Sequence, residues 1–495
     1  MNVTLIYPTQ VREKGQQSSR ACWPPLGLAY LASVLERDGH RVQIIDRFIL
    51  QKRNEFDLGQ TNKQMIGAIS NFDTELVGVT STTPDVVDAL EVFKIVKEYN
   101  SSITTVLGGP HVTAVPLKTI NKCSYIDICA IGEGEETICE IASQKPLQQI
   151  RGIHYRQDGR IVETEPRALI RDLDKLPFPS WHLLDMDFYT RPSRFISRNS
   201  VLRATSIFTS RGCPFKCNFC AGPIMFPGVR FHSPERVTEE IERLICDYSV
   251  EAVYFADDMF LANKKRAYEI LHLFESRGIY KKLRWYAQIR PDVVDEELLA
   301  YMKRMGCDRV EFGFESGSER VLGLMNKKST VEKNLRAANI ARQAGMRFQG
   351  NFIIGYPGET EKDLFETVDF MKKVHPTIIL MNIYWPLPGT VSYDQLRQEG
   401  EALPAWENTA RATESRLNYS KMQDERFFDL YDWIKLKNVL PNNIRYLIRD
   451  TFFHPIVFYK LLREHAGEYF KKAMKMARNL MALRLRRVFH RLLHR

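Results

Sequence analysis

No run of eighteen apolar residues occurs in the chain, so nothing in it has the length a helix needs to cross a bilayer. The start, Met1 followed by NVTLIYP, has neither a basic n-region nor a small-residue cleavage site, and no signal peptide is expected. Cysteine is scarce and unevenly placed. Cys22, Cys123, Cys129, Cys139, Cys213, Cys217, Cys220, Cys246 and Cys307 form an odd, irregular set, which argues against a disulfide framework and for a reducing, cytoplasmic setting. None follows Cys307, so the C-terminal region lacks material for an auxiliary cysteine-held cluster. Excess positive charge gathers at the C-terminal end: Lys471 to Arg495 hold nine Lys or Arg and no Asp or Glu, against a net charge of +10 for the chain. The remainder is nearly balanced, and no RNA-binding module accompanies the tail, which sets nucleic acid lowest among partners.

The rest is an ordinary globular composition, 44% apolar and 26% charged, in 495 residues, enough for two or three domains. Within it, RGCPFKCNFC (Arg211 to Cys220) stands out. Cys213, Cys217 and Cys220 at spacing C-x3-C-x2-C can aim three thiolates at one point. With no fourth cysteine nearby, an iron–sulfur cluster held there keeps one iron open; a zinc knuckle or three unrelated core cysteines are the bland alternatives.

Upstream, short β-rich runs alternate with helical stretches: Val3–Tyr7, Val42–Asp46, Leu76–Thr80, Thr104–Gly108 and Tyr125–Ile131. Five strands predict a doubly wound α/β domain, whose ligand belongs beyond the strand carboxyl ends. Thr80 to Thr83 follow the third strand, Gly108 and Gly109 the fourth, and Gly132, Glu133 and Gly134 the fifth. Asp158-Gly159 between two alternating runs predicts a hairpin, and residues 146–204 are expected as hairpin and interdomain linker.

From Thr205 the alternation resumes at about thirty residues per unit. Strands are expected at Thr205–Ser210, Ala252–Phe255, Leu283–Gln288, Arg309–Gly313, Phe348–Ile354 and Ile378–Tyr384, a partial (β/α)6 TIM-like barrel over 205–395. Ser233-Pro234 and Thr360 with Asp363 supply helix starts. Asp257, Asp258, Gln288, Arg290, Glu315, Ser316, Gly355 and Glu359 fall at the carboxyl ends, facing the cysteine loop. Residues 396–495 are expected to be helical. In the tail Phe470, Met474, Ala477, Met481, Leu485, Val488 and Leu492 make a helical stripe beside basic residues. Such a helix suits an anionic membrane surface or packing on the barrel.

The cysteine loop, together with ADD, FGFESGSERVLGLMNK, FIIGYPGETEKD and PLPGT, resembles the radical S-adenosylmethionine (SAM) superfamily. That resemblance implies a 4Fe-4S cluster on Cys213, Cys217 and Cys220, with SAM contacts from Phe219, Asp257, Gln288, Glu315, Ser316 and Gly355. In its G-x-I-x-G-x-x-E adenine motif, the register that fits Gly355 puts Asn351 and Gly358 where Gly and Glu are expected. PPLGLAYLAS and the N-terminal turns resemble the cobalamin-binding domain that precedes the radical SAM domain in a large subgroup, over 1–145. This implies cobalamin contacts from Leu26, Gly27, Thr80, Ser81, Gly108, Gly109, Gly132, Glu133 and Gly134. The D-x-H-x-x-G element that supplies a lower histidine to cobalt is absent, since Pro8, Thr9 and Gln10 follow the first strand.

The family implies a cobalamin-dependent methyltransferase acting on an unactivated carbon, or within the same architecture an oxidative cyclase. A methylthiotransferase ranks lower, because the N-terminal cysteines are too scattered for that family's second cluster, and a non-catalytic corrinoid carrier needs no cysteine loop. Expected partners are a small-molecule or lipid substrate, a flavodoxin- or ferredoxin-type electron donor and, through the basic tail, the inner face of a membrane.

Overall fold

The computed structural model describes residues 1–9, 23–190, 202–405 and 417–452. Cys22 and the basic stripe from Phe470 onward lie outside the described residues.

The first sheet contains β1 (Asn2–Tyr7), β2 (Arg41–Asp46), β3 (Leu76–Thr80), β4 (Thr104–Gly108), β5 (Ile128–Ala130), β6 (Ile153–Gln157) and β7 (Arg160–Glu163), in the order β2-β1-β3-β4-β5-β6-β7. Pairing is parallel from β2 to β5. In β3, LVGVT, four consecutive residues are buried, the continuous pattern of a strand covered on both faces. One face packs against the helices Leu26–Arg37 and Glu135–Ala142, through Leu28, Leu35 and Ile138. The other packs against Leu58–Asn71 and Val86–Tyr99, through Met65, Ile69, Val92 and Phe93. The expected hairpin forms, but not in a linker: β6 pairs antiparallel with β5, and β7 with β6, so the hairpin finishes the first sheet. The reason is burial, since Ile153 and Tyr155 alternate into that core.

The second unit begins with β8 (Ala204–Ile207). It continues through a short antiparallel ribbon, β9 (Ser210–Arg211) with β10 (Arg230–Phe231), that flanks the cysteine loop. β11 (Ala252–Phe255), β12 (Arg284–Ile289), β13 (Cys307–Glu315), β14 (Arg347–Ile354) and β15 (Ile378–Ile383) complete a parallel six-stranded sheet ordered β15-β14-β13-β12-β11-β8. The expected single strand Thr205–Ser210 is broken after Ile207, because Thr209 and Ser210 turn their amides toward a buried carboxylate described below. Helix starts fall where the sequence puts them: Ser233 Oγ accepts from Arg236 N at 3.2 Å, and Thr360 with Asp363 makes a capping box.

The helix-facing side of this sheet carries Phe255 stacked on Trp285, and Phe312, Phe314, Phe348 and Phe352 packed at edge-to-face and tilted angles. The six strands leave β15 as an edge. The helix Leu440–Phe452 packs against it, and Asn443 serves both backbone groups of Ile379: its Oδ1 accepts from the N–H and its Nδ2 donates to the carbonyl, each at 2.9 Å. Among the described residues no helix is long and apolar enough to cross a membrane.

Candidate cofactor site

The cysteine loop is fixed at its entrance by Gly212. Its φ is +91°, and a Cβ there would lie 1.9 Å from the Gly228 carbonyl oxygen and 2.7 Å from that of Phe226. Farther on, Asn218 N donates to Met325 O and Asn218 Nδ2 to Leu324 O, both at 2.9 Å, while Asn326 Nδ2 donates to Lys216 O at 2.8 Å. The Arg290 guanidinium lies 3.5 Å from the centre of the Phe215 ring, with Nη1 3.9 Å from Cys217 Sγ. The loop closes with Cys220 N donating to Cys217 O at 3.1 Å and Gly222 N to Cys220 Sγ at 3.3 Å.

All three cysteines are unpaired and half-buried. Burial raises the Cys213 thiol and pushes Cys220 up to about 11. Among the described residues no three Cys, His, Asp or Glu side chains are already gathered as a finished metal site. The donor set is nonetheless three soft sulfurs on one short, pinned loop, which suits an iron–sulfur cluster with one position left open.

The residues expected to meet SAM divide. Asp257, 1% exposed, gives both oxygens to the chain: Oδ1 accepts from Thr209 N at 2.6 Å and Ser210 N at 3.0 Å, and Oδ2 from Thr209 Oγ1. It shapes the approach to the cysteine loop, and its neighbour Asp258 opens onto the cavity instead. Asp257→Ala strands these donors and is expected to cost about 3 kcal/mol in a urea titration; a loss under about 1 kcal/mol contradicts the role. Gly355 is also spent internally. Its N–H donates to Glu359 Oε2 at 2.6 Å, and a Cβ there would lie 2.8 Å from Phe427 Cζ.

The Ser316 hydroxyl is bonded to Thr367 Oγ1 at 3.0 Å and accepts from Ser318 N at 3.1 Å. Phe219 packs beside Tyr356 and Tyr384. Glu315, at φ +63°, pairs with buried Lys327 at 2.7 Å, and Gln288 is half-buried on β12. Lys327 and Asp258 are the groups that the expected SAM set omits.

The residues expected to meet cobalamin converge far better. A cavity of about 280 Å³ lies between the first sheet's carboxyl ends and the cysteine loop. Gly27, Thr80, Gly108, Gly109, Gly132, Glu133 and Gly134 line it from the first unit; Phe208, Arg211, Phe226, Ala256 and Asp258 line it from the second. A Cβ on Gly27, Gly108 or Gly132 would meet nothing within 4 Å, so these glycines leave open the space a side chain would fill. Gly109 has a different need: at φ +97°, its Cβ would lie 2.6 Å from Thr80 Oγ1.

Two expected contacts fall elsewhere. Leu26 is buried with Trp181 and Ile207 in the larger core, and Ser81 lies beneath the turn, donating from N to Gly108 O at 2.9 Å. Among the described residues the lining contains no histidine. Its largely apolar, glycine-floored shape fits a flat macrocycle.

Glu133 lines the cavity, yet its carboxylate is committed across the two units. Oε1 accepts from Arg211 Nη1 at 2.6 Å; Oε2 accepts from Arg230 Nη1 at 2.7 Å and Ile170 N at 2.8 Å. Arg211 Nη2 donates to Glu135 Oε1 at 2.6 Å. Burial alone would raise the Glu133 carboxyl, but Arg230 and Arg211 hold it below its ordinary value.

Comparison with known proteins agrees with this arrangement. The B12 binding domain family matches residues 17–142, and the radical SAM superfamily matches 207–371. An uncharacterized methyltransferase of Pyrococcus horikoshii is 34% identical over 462 residues, covering 91% of this chain and 93% of its own. The anaerobic magnesium-protoporphyrin IX monomethyl ester cyclase of Cereibacter sphaeroides is 26% identical; the match takes in 81% of this chain but only 64% of that relative's length.

Among solved structures, the radical SAM methyltransferase TsrM of Kitasatospora setae, with cobalamin and a 4Fe-4S cluster bound, superposes with a TM-score of 0.65. It is 18% identical, with 80% of this chain and 78% of that one covered. The cobalamin-dependent radical SAM enzyme OxsB gives 0.67 at 18% identity, with 88% of this chain and 66% of that one covered. At such identity these two establish the shared fold. The two matched domains imply a 4Fe-4S cluster, SAM and cobalamin as cofactors. With both domain families in place and a near full-length relative at 34% identity, the chain belongs to the radical SAM enzymes that carry a cobalamin-binding domain.

Proposed function

We propose that this enzyme transfers a methyl group from SAM to an unactivated carbon of a small-molecule or lipid substrate. One observation carries the reading: the glycine turns of the cobalamin-binding domain and the residues flanking the cysteine loop line one common cavity, so a corrinoid held there would face the cluster loop. An unactivated C–H bond has no proton that a side-chain base near neutral pH can remove. The cofactors supply that chemistry: a radical to abstract the hydrogen and a corrinoid to relay the methyl group.

The chain supplies position and exclusion of water. Cys213, Cys217 and Cys220 would hold the cluster, and Arg290 braces their loop through Phe215. Asp258, Gln288 and the Glu315–Lys327 pair would be the groups turned toward SAM. Gly27, Thr80, Gly108, Gly109, Gly132 and Gly134 leave the corrinoid its space. A flavodoxin- or ferredoxin-type protein delivers electrons to the cluster.

The name of the Pyrococcus horikoshii relative supports methyl transfer, while that of the Cereibacter sphaeroides relative favours a second reading, an oxidative cyclase. Products separate the two without the substrate being known. Anaerobically reconstituted holoenzyme, given methyl-labelled SAM and a reductant, is expected to form S-adenosylhomocysteine and to pass the label to the corrinoid. Production of 5′-deoxyadenosine alone would overturn methyl transfer and leave the cyclase.

A further inference from the structure

We infer that Arg211 is a positioning residue through which the corrinoid site and the cluster site stabilise one another. The inference rests on the family assignment and not on methyl transfer. Arg211 ends β9, with only Gly212 between it and Cys213. That link has no slack, because Gly212 is seated against the Gly228 and Phe226 carbonyls with no room for a side chain. The guanidinium reaches the other unit, where Nη1 and Nη2 each donate at 2.6 Å to Glu133 and Glu135, the residues on either side of cavity-lining Gly134. Arg230 on β10 takes the second oxygen of Glu133. Tyr30 and Phe226, both cavity residues, lie with their ring centres 5.5 and 5.8 Å from the Arg211 guanidinium carbon.

The four charged side chains are buried or nearly so and sum to zero. The cluster of charges therefore has no need of a ligand's charge, and its role is mechanical. A corrinoid in the cavity would pack against the Gly132–Glu135 turn, and an iron–sulfur cluster would tether the cysteine loop that begins just past Gly212. With Arg211 bonded to the first and one residue from the second, whichever cofactor arrives first restricts both loops, and the other then binds at a smaller entropic cost. Such coupling is reciprocal.

The test compares hydroxocobalamin affinity for cluster-loaded and iron-free protein. In the natural chain the cluster is expected to tighten cobalamin binding roughly tenfold. Arg211→Lys keeps the charge but loses the two-pronged fork, and Arg211→Gln with Glu135→Gln removes one charge of each sign. In both, the ratio is expected to fall to about one while cobalamin still binds. The electron paramagnetic resonance signal of the reduced cluster should respond to added cobalamin in the natural chain and not in the variants.

A residue that merely supports the fold would weaken binding equally with and without the cluster, so an unchanged ratio overturns the inference. So does a ratio of one in the natural chain. Variants that bind no cobalamin in either state would make Arg211 a folding residue and overturn it too.

Discussion

Gly212→Ala is expected to abolish the iron–sulfur cluster although the chain keeps every cysteine. The added methyl group would occupy a point 1.9 Å from a carbonyl oxygen, well inside contact distance, and the obstacle is backbone rather than a flexible side-chain end. The residue also sits at φ +91°, where an L side chain is strained by about 1–2 kcal/mol before any clash is counted. Either the ribbon of β9 and β10 opens or the loop entrance turns, and in both cases Cys213 leaves its place beside Pro227. After anaerobic reconstitution, iron and sulfide are expected to fall to about a tenth of the natural content or less, with helix content unchanged by circular dichroism. Full iron loading would refute the account. Alanine is the mildest substitution available, so larger residues should do no better.

The second large effect is a selective one. Gly108→Leu is expected to remove the corrinoid while leaving the cluster intact. Gly108 closes β4 with ordinary backbone angles, and a Cβ there projects into open cavity. A leucine therefore folds without strain and occupies space meant for the macrocycle. Corrinoid retained after reconstitution should drop to about a tenth of the natural value or less, at unchanged iron and sulfide. Neighbouring Gly109 is a poor choice for this experiment: a side chain there collides with Thr80 and Ser81, so a defect would report misfolding. Normal corrinoid content in Gly108→Leu would place the cofactor elsewhere.

The strands were legible because their signals are local. LVGVT and TTVLG are buried on both faces, and their β-branched runs mark β3 and β4 to the residue. The turns after those strands were legible too, since glycine at a strand end in a doubly wound sheet has a positional meaning. Side-chain partnership was not. Asp257 and Asp258 are adjacent and chemically identical, and only the approach of Thr209 and Ser210 decides that one is structural while the other opens onto the cavity. Glu133 looked like a ligand contact because it follows Gly132, whereas Arg211 and Arg230 reach it from 78 and 97 residues away. Leu26 failed for a similar reason: helical rotation sends Gly27 to the cavity and Leu26 to the core.

The Asn443 contact bears on how the protein is made. A ribosome releases β15 more than fifty residues before the side chain that occupies the outward backbone groups of Ile379. Until that helix arrives, the six-stranded sheet is complete in sequence but open along one side, with the Ile379 backbone groups turned toward solvent and toward any neighbouring nascent chain. The time taken to translate residues 384–442 sets how long those two groups stay open to pairing with another chain.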